Sequence, residues 1–207
     1  MNHTLIKLEE ARILVCELTE SSDTLKNQLY LIESDQIEFD KIVSEKRRLE
    51  FLGIRIALKT LLQKEILIQY DEDGKPHLSD KSYQISISHS NKWIAVMAHP
   101  TNKVGIDIEC PTDKIQKLYT RFLSLTEQKE LSGGKDIRQL LLAWSAKEAL
   151  YKIIGKESID FANQLRIYSF EVKTPGEIRA QHIPSKSYYL LHYQQTENYT
   201  LVYCLTE

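Results

Sequence analysis

Apolar and polar positions alternate with a period of two along Val104-Gly105-Ile106-Asp107-Ile108-Glu109. That period belongs to a strand with Val104, Ile106 and Ile108 on one face and Asp107 and Glu109 on the other, roughly 7 Å apart at their Cα atoms. Residues 83–90 repeat the pattern, with Ile85, Ile87 and His89 opposite Ser86, Ser88 and Ser90, and run into an Asn91-Lys92 turn. Two later strand-like runs, 188–193 and 199–203, are rich in tyrosine and aliphatic residues and are expected in a core sheet. Between Ile137 and Ile154 the spacing becomes helical, with Leu140, Ala143, Leu150, Ile153 and Ile154 as the core stripe. A second helix is predicted over 44–63, with Ser44 as its N-cap and Leu49, Leu52, Ile56 and Leu62 on its apolar side. Asp71-Glu72-Asp73-Gly74-Lys75-Pro76 reads as a turn, and Gly133-Gly134 as a local loop before the later helix.

These faces carry chemistry. Two carboxylates pointing the same way repel each other unless water or a cation lies between them, and hard oxygen ligands of this kind suit Mg²⁺. The plain alternative is a half-exposed strand with a solvated acidic edge. On the later helix, Trp144, Glu148 and Lys152 recur every four residues on a stripe away from the core. A Glu followed four residues later by Lys also makes an ordinary surface pair worth about 0.2–0.5 kcal/mol. Such a pair leaves Trp144 unexplained, since a residue of that size is usually mostly covered; a helix face lining a cleft accounts for all three. Taken alone, His89 reads more readily as a structural histidine than as a ligand, and Lys75 as part of a solvated hairpin loop.

Charge changes sign along the chain. Residues 1–40 hold nine acidic and three basic side chains, whereas 41–64 hold seven basic and two acidic. The predicted helix over 44–63 therefore carries a basic face, including Lys46, Arg47, Arg48, Arg55 and Lys59, whose plain reading is a solvated surface with ion pairs such as Glu45–Arg48.

Gly74-Lys75-Pro76, Ile87-Ser88-His89-Ser90, Gly105-Ile106-Asp107-Ile108-Glu109, Arg121-Phe122 with Glu127, and Trp144-Ser145-Ala146-Lys147-Glu148-Ala149 with Lys152 occur in one order over roughly residues 44–155. Together they resemble the 4′-phosphopantetheinyl transferases, specifically the double-length type that activates surfactin synthetase and similar assembly lines. The resemblance implies an α+β fold of two similar α/β halves about a pseudo-twofold axis, with the active site in the cleft between them. It divides the chain into an N-terminal half, 1–103, with coenzyme A phosphate contacts, and a C-terminal half, 104–207, with the metal site and catalytic helix. It implies transfer of 4′-phosphopantetheine from coenzyme A to a serine of an apo acyl or peptidyl carrier protein, with release of 3′,5′-ADP. Mg²⁺, or Mn²⁺ in its place, would be held by Asp107, Glu109 and Glu148; Glu148 and Lys152 would be catalytic. Arg48, Arg55, Lys75, Ser88, His89 and Lys152 would bind coenzyme A. The segment 119–125, with Arg121, Phe122 and Leu123, is where an acidic carrier helix could dock, with Phe122 reading equally as a core residue.

A faint internal repeat agrees with two halves: Arg55-Ile56-Ala57-Leu58 with Leu61-Leu62 resembles Lys147-Glu148-Ala149-Leu150 with Ile153-Ile154. At 207 residues and 42% hydrophobic the chain can bury a core as one large domain or two small ones. A net charge of −2 argues against a general nucleic-acid binder. No apolar run approaches the roughly 18 residues that a membrane span needs. Residues 1–4 lack the basic and apolar regions of a signal peptide, and the three widely spaced cysteines, Cys16, Cys110 and Cys204, fit a reducing, cytoplasmic setting without a zinc pattern. A monomer is expected. Two other readings stay open: a non-catalytic member that binds coenzyme A or a carrier protein, and a related Mg²⁺-dependent nucleotide transferase with another acceptor.

Overall fold

The computed structural model describes residues 1–155 and 158–206. Two antiparallel sheets and two long helices form its frame. The first sheet joins β1 (Asn2–Leu8), β2 (Ala11–Glu17), β6 (Trp93–His99) and β5 (Gln84–Ser90) in the spatial order β1-β2-β6-β5. Between β2 and β5 the chain forms helices α1 (Ser22–Lys26), α2 (Glu33–Lys41) and α3 (Glu45–Leu62), then a two-stranded hairpin of β3 (Ile68–Tyr70) and β4 (Pro76–Leu78). The second sheet runs β7-β11-β10-β9-β8, from β7 (Val104–Glu109), β11 (Thr200–Leu205), β10 (Ser187–Gln195), β9 (Gly176–His182) and β8 (Leu165–Ile167). Its strands are bridged in sequence by α4 (Tyr119–Phe122), α5 (Leu125–Glu130), α6 (Ile137–Ile154) and α7 (Phe161–Gln164).

Alternation along the strands divides the interior into three cores. The even-numbered side chains Leu14, Cys16, Ile94 and Val96 of the first sheet meet Leu52, Ala57, Leu58 and Leu61 of α3. The odd-numbered Ile13, Val15, Ala95 and Met97 face the second sheet, where Ile106, Ile108, Leu201 and Tyr203 close the gap. On the far side of that sheet, Val202, Cys204, Leu191 and Ile178 pack against Leu142, Ala146, Ala149, Leu150 and Ile153 of α6. The layers are therefore helix, sheet, sheet, helix, with β7 covered on both faces.

Local signals explain most element ends. Asn91 turns the β5–β6 hairpin with a left-handed φ of 55°, a conformation Asn tolerates better than most residues. Asp136 caps α6 by accepting from the backbone N–H groups of Arg138 and Gln139, and Gly155 ends it with φ 62°. Ser44 stands at the N-cap of α3 as the sequence predicts, yet its side chain makes no capping bond. Glu45 beside it instead accepts from the backbone N–H and hydroxyl of Ser22, at 2.9 and 2.8 Å, which ties α3 to α1.

Candidate active site

Strands β5 and β7 are the facing edges of the two sheets, and no backbone ladder joins them. Serine hydroxyls do so instead. Ser86 Oγ accepts from the Ile106 N–H (3.1 Å) and Ser90 Oγ from the Cys110 N–H (3.1 Å), satisfying outward-pointing donors that an edge strand would leave open. Ser88 Oγ donates to Asp107 Oδ1 at 2.9 Å, and Ser90 Oγ to Glu109 Oε2 at 2.8 Å. The serine face of β5 thus fixes both carboxylates of β7.

Gly105 decides how closely α6 can approach that strand. A Cβ there would stand 2.1 Å from the carbonyl oxygen of Ala149, a separation no side chain can occupy. Its absence lets α6 lie against β7 with Trp144, Glu148 and Lys152 turned to the cleft. Within 139–150 only Trp144 and Glu148 escape full burial, so the stripe read from the four-residue spacing is the accessible face. Lys152 Nζ reaches Asp107 Oδ1 at 3.0 Å and the Ile106 carbonyl at 2.7 Å. Its salt-bridge partner is therefore Asp107 and not Glu148, contrary to the simple surface pair. Trp144 Nε1 donates to Glu109 Oε1 at 3.2 Å.

The electrostatics follow from crowding. Burial, and then the charge of Asp107, push the Glu148 carboxyl up to about 7, with Lys152 opposing and Glu109 adding to the rise. Burial and Asp107 likewise raise Glu109, while Ser90 and Trp144 hold it down by hydrogen bonds. Among the described residues, Asp107 Oδ2 is buried without a hydrogen-bond partner. Three crowded carboxylates, one with a buried oxygen unsatisfied among the described residues, are suited by donor type to a hard divalent cation. They are not drawn together as they stand: among the described residues, no three His, Cys, Asp or Glu side chains form a ready set of metal ligands. Lys152 supplies the positive charge at Asp107.

Next to this cluster a cavity of about 300 Å³ is lined by Tyr70, Lys75, Ile87, His89, Tyr151 and Lys152, among others. Lys75 comes from the β3–β4 turn, which Asp71 organises by accepting from the backbone N–H of Lys75 at 2.7 Å. Gly155 leaves space for its ammonium, since a Cβ there would lie 3.2 Å from Lys75 Nζ. Burial lowers Lys75, as does the charge of Lys103. His89 sits 3.4 Å from the buried carboxylate of Glu50, which also receives Arg47 at 3.1 Å; burial nevertheless lowers its pKa. An anion entering here would find two cations and an imidazole already in place.

Three of the expected coenzyme A contacts, Arg48, Arg55 and Ser88, do not line this cavity. Arg55 is buried and directs Nε and Nη2 to the two oxygens of Asp35, at 2.9 and 2.7 Å, with its guanidinium 3.4 Å from the centre of the Phe51 ring. It is a core ion pair and is not available to a ligand. Arg48 donates to the Ile42 carbonyl at 2.7 Å and lies over Phe39, so it holds the α2–α3 junction. Ser88 is buried against Asp107 and does not line the cavity. In the segment 119–125, Phe122 and Leu123 are core, whereas Arg121 and Leu125 are exposed.

The sequence reading missed Lys147. This ammonium is fully buried and donates to the carbonyls of Phe122, Phe161 and Leu165 and to the Glu127 carboxylate, all at 2.7–2.9 Å. The available signal was a lysine inside the apolar stripe of α6, between Ala143 and Leu150.

The arrangement defines an α+β protein in which a basic cavity adjoins three carboxylates at the seam of two sheets. Residues 103–204 match the sequence profile of the 4′-phosphopantetheinyl transferase superfamily. Among curated proteins the chain is similar to 4′-phosphopantetheinyl transferase AcpT of Salmonella typhi, 33% identical over 115 residues, covering 53% of this chain and 60% of that one. It is also similar to 4′-phosphopantetheinyl transferase Sfp of Bacillus subtilis (strain 168), 28% identical over 145 residues, covering 68% and 63%. A phosphopantetheinyl transferase of Thraustochytrium is 26% identical over 130 residues, covering 50% and 45%. The matches thus span about half to three-fifths of the relatives' own lengths. No helix among the described residues is long and apolar enough to cross a membrane.

Proposed function

We propose that this protein transfers the 4′-phosphopantetheine group of coenzyme A to a serine of an apo acyl or peptidyl carrier protein. One observation carries the reading: Lys75, His89 and Lys152, from three separate elements, line one cavity beside Asp107, Glu109 and Glu148. Coenzyme A presents a pyrophosphate and a 3′-phosphate, and displacement at its β-phosphorus needs alignment and charge neutralisation more than covalent catalysis. Lys75 and His89 bind phosphate oxygens. The serine oxygen forms a bond to the β-phosphorus as the bond from that phosphorus to the bridging oxygen breaks, and 3′,5′-ADP leaves with that oxygen. Glu148, whose carboxyl titrates near neutrality, takes the serine proton. Lys152 neutralises charge on the departing α-phosphate. Asp107, Glu109 and Glu148 would hold Mg²⁺ or Mn²⁺, which stabilises developing charge on the pyrophosphate when bound. The reading extends to two pseudo-twofold halves, 1–103 and 104–207, acting as a cytoplasmic monomer.

The decisive experiment incubates apo carrier protein with coenzyme A, Mg²⁺ and this protein and weighs the carrier. A gain of one phosphopantetheine on serine is expected. An unchanged carrier, under conditions where a known transferase loads it, would refute the activity, and coenzyme A binding without transfer would identify a binding-only member.

A further inference from the structure

Both oxygens of Glu109 are held, each by a different element. On one side Ser90 Oγ lies 2.8 Å from Oε2 and also accepts from the Cys110 N–H at 3.1 Å. A hydroxyl has one proton; with the amide donating to its oxygen, that proton goes to the carboxylate. On the other side Trp144 Nε1 lies 3.2 Å from Oε1. An indole can only donate, so this contact too favours the ionised carboxylate. The indole itself is fixed by aromatic packing. Its ring centre is 5.2 Å from Phe122 in an edge-to-face arrangement and 5.7 Å from Phe161. Trp144 therefore has little freedom to turn, and neither does Glu109 between its two donors.

We propose that Trp144 and Ser90 form a two-point clamp that positions Glu109 as a ligand at the cation site. The inference rests on the reading of Asp107, Glu109 and Glu148 as that site. It separates the cleft-facing stripe of α6 by role: Glu148 and Lys152 act on the substrate or cation, and Trp144 acts through Glu109. It also explains why a large aromatic occupies that stripe. Phenylalanine would fill most of the same space but could not donate, and groups that orient a ligating carboxylate change metal affinity by about 10–100-fold when removed.

The test measures Mn²⁺ binding directly, by the loss of the free-ion paramagnetic resonance signal on titration of Mn²⁺ with protein, for wild type, Trp144→Phe, Ser90→Ala and Asp107→Ala. Thermal unfolding and the Mg²⁺ dependence of transfer are measured on the same samples. The clamp predicts that Trp144→Phe and Ser90→Ala each raise the Mn²⁺ dissociation constant about tenfold. It predicts as well that transfer by both variants recovers towards the wild-type maximal rate at saturating Mg²⁺, so that metal requirement and turnover separate. Wild-type Mn²⁺ affinity in both variants overturns the clamp, whatever their melting temperatures. Should wild type bind no Mn²⁺, or should Asp107→Ala bind it as tightly as wild type, the cation site itself is misassigned and the clamp falls with it.

Discussion

Replacement of Lys147 by methionine isolates the cost of breaking a buried ion pair without opening a large cavity. Lys147 and Glu127 have no exposed side-chain surface. The ammonium has three protons for four acceptors, the Phe122, Phe161 and Leu165 carbonyls and Glu127. Burial pushes its pKa down to about 8, with Glu127 holding it up, so it is charged at pH 7. Among the described residues, methionine leaves Glu127 with the backbone N–H groups of Ser124 and Ile167 as donors, at 2.8 and 2.7 Å, and leaves the three carbonyls without this donor. Removing one member of such a pair costs about 3–5 kcal/mol. At about 2–4 °C per kcal/mol for a domain of this size, the melting temperature should fall by roughly 10 °C. Adding Glu127→Gln to Lys147→Met should cost less than the two single substitutions summed, because the unpaired charge is removed. Thermal denaturation of the four proteins reads both quantities. A fall under about 2 °C in Lys147→Met, or strict additivity in the double variant, would refute the argument that this pair ties α4, α5, α7 and β8 to α6.

Gly105→Ala should melt lower by at least about 1–3 kcal/mol and lose transfer activity, because its Cβ would meet the Ala149 carbonyl at 2.1 Å; normal melting and turnover would contradict the close approach of α6. In metal-free protein the raised Glu148 pKa contributes stability that is fully present below the unfolded value near 4.5 and lost as pH rises through about 7. Wild type should therefore lose about 3 kcal/mol relative to Glu148→Gln between pH 4.5 and pH 8, and parallel stability curves in urea would count against it. Arg55→Met should lower the melting temperature, since it leaves Asp35 buried and unpaired, and leave coenzyme A affinity unchanged by calorimetry. A large loss of affinity at constant stability would return Arg55 to the ligand site.

Elements that depend on neighbouring residues were legible. The two-residue alternation of 104–109 and 84–90 and the helical spacing of 137–154 match β7, β5 and α6, because side-chain period is a local property of backbone geometry. The turn at 71–76 was equally visible in its Asp, Gly and Pro. What escaped depended on partners distant in sequence. Arg55 and Asp35 are twenty residues apart, and a basic residue on a mixed helix face looks the same whether it meets water or a carboxylate. Lys147 interrupts an apolar stripe, yet nothing local announces that Glu127, already recognisable in the capping box Ser124 to Glu127, faces it. Phe122 and Leu123 were candidates for a docking surface because an apolar pair near a basic residue suits both a core and an interface; burial decides for the core.

The position of the carboxylates at the seam has its own physical logic. Had β5 and β7 paired as ordinary neighbours, the outward N–H groups of Ile106 and Cys110 would have met carbonyls, and the two sheets would have been one. Serine hydroxyls satisfy those donors instead while giving their own protons to Asp107 and Glu109. Ser86 and Ser90 thus close the edge of β7, while Ser88 and Ser90 orient its acidic face. On that same acidic face Gly105 admits α6, which brings Lys152 to Asp107 and Trp144 to Glu109. Two carboxylates that would destabilise an ordinary covered strand are thereby each matched by donors from both flanking elements. The acidic strand is compatible with a packed interior because β5 along its edge supplies donors two residues apart, Ser88 and Ser90, and α6 over its acidic face supplies donors eight residues apart, Trp144 and Lys152.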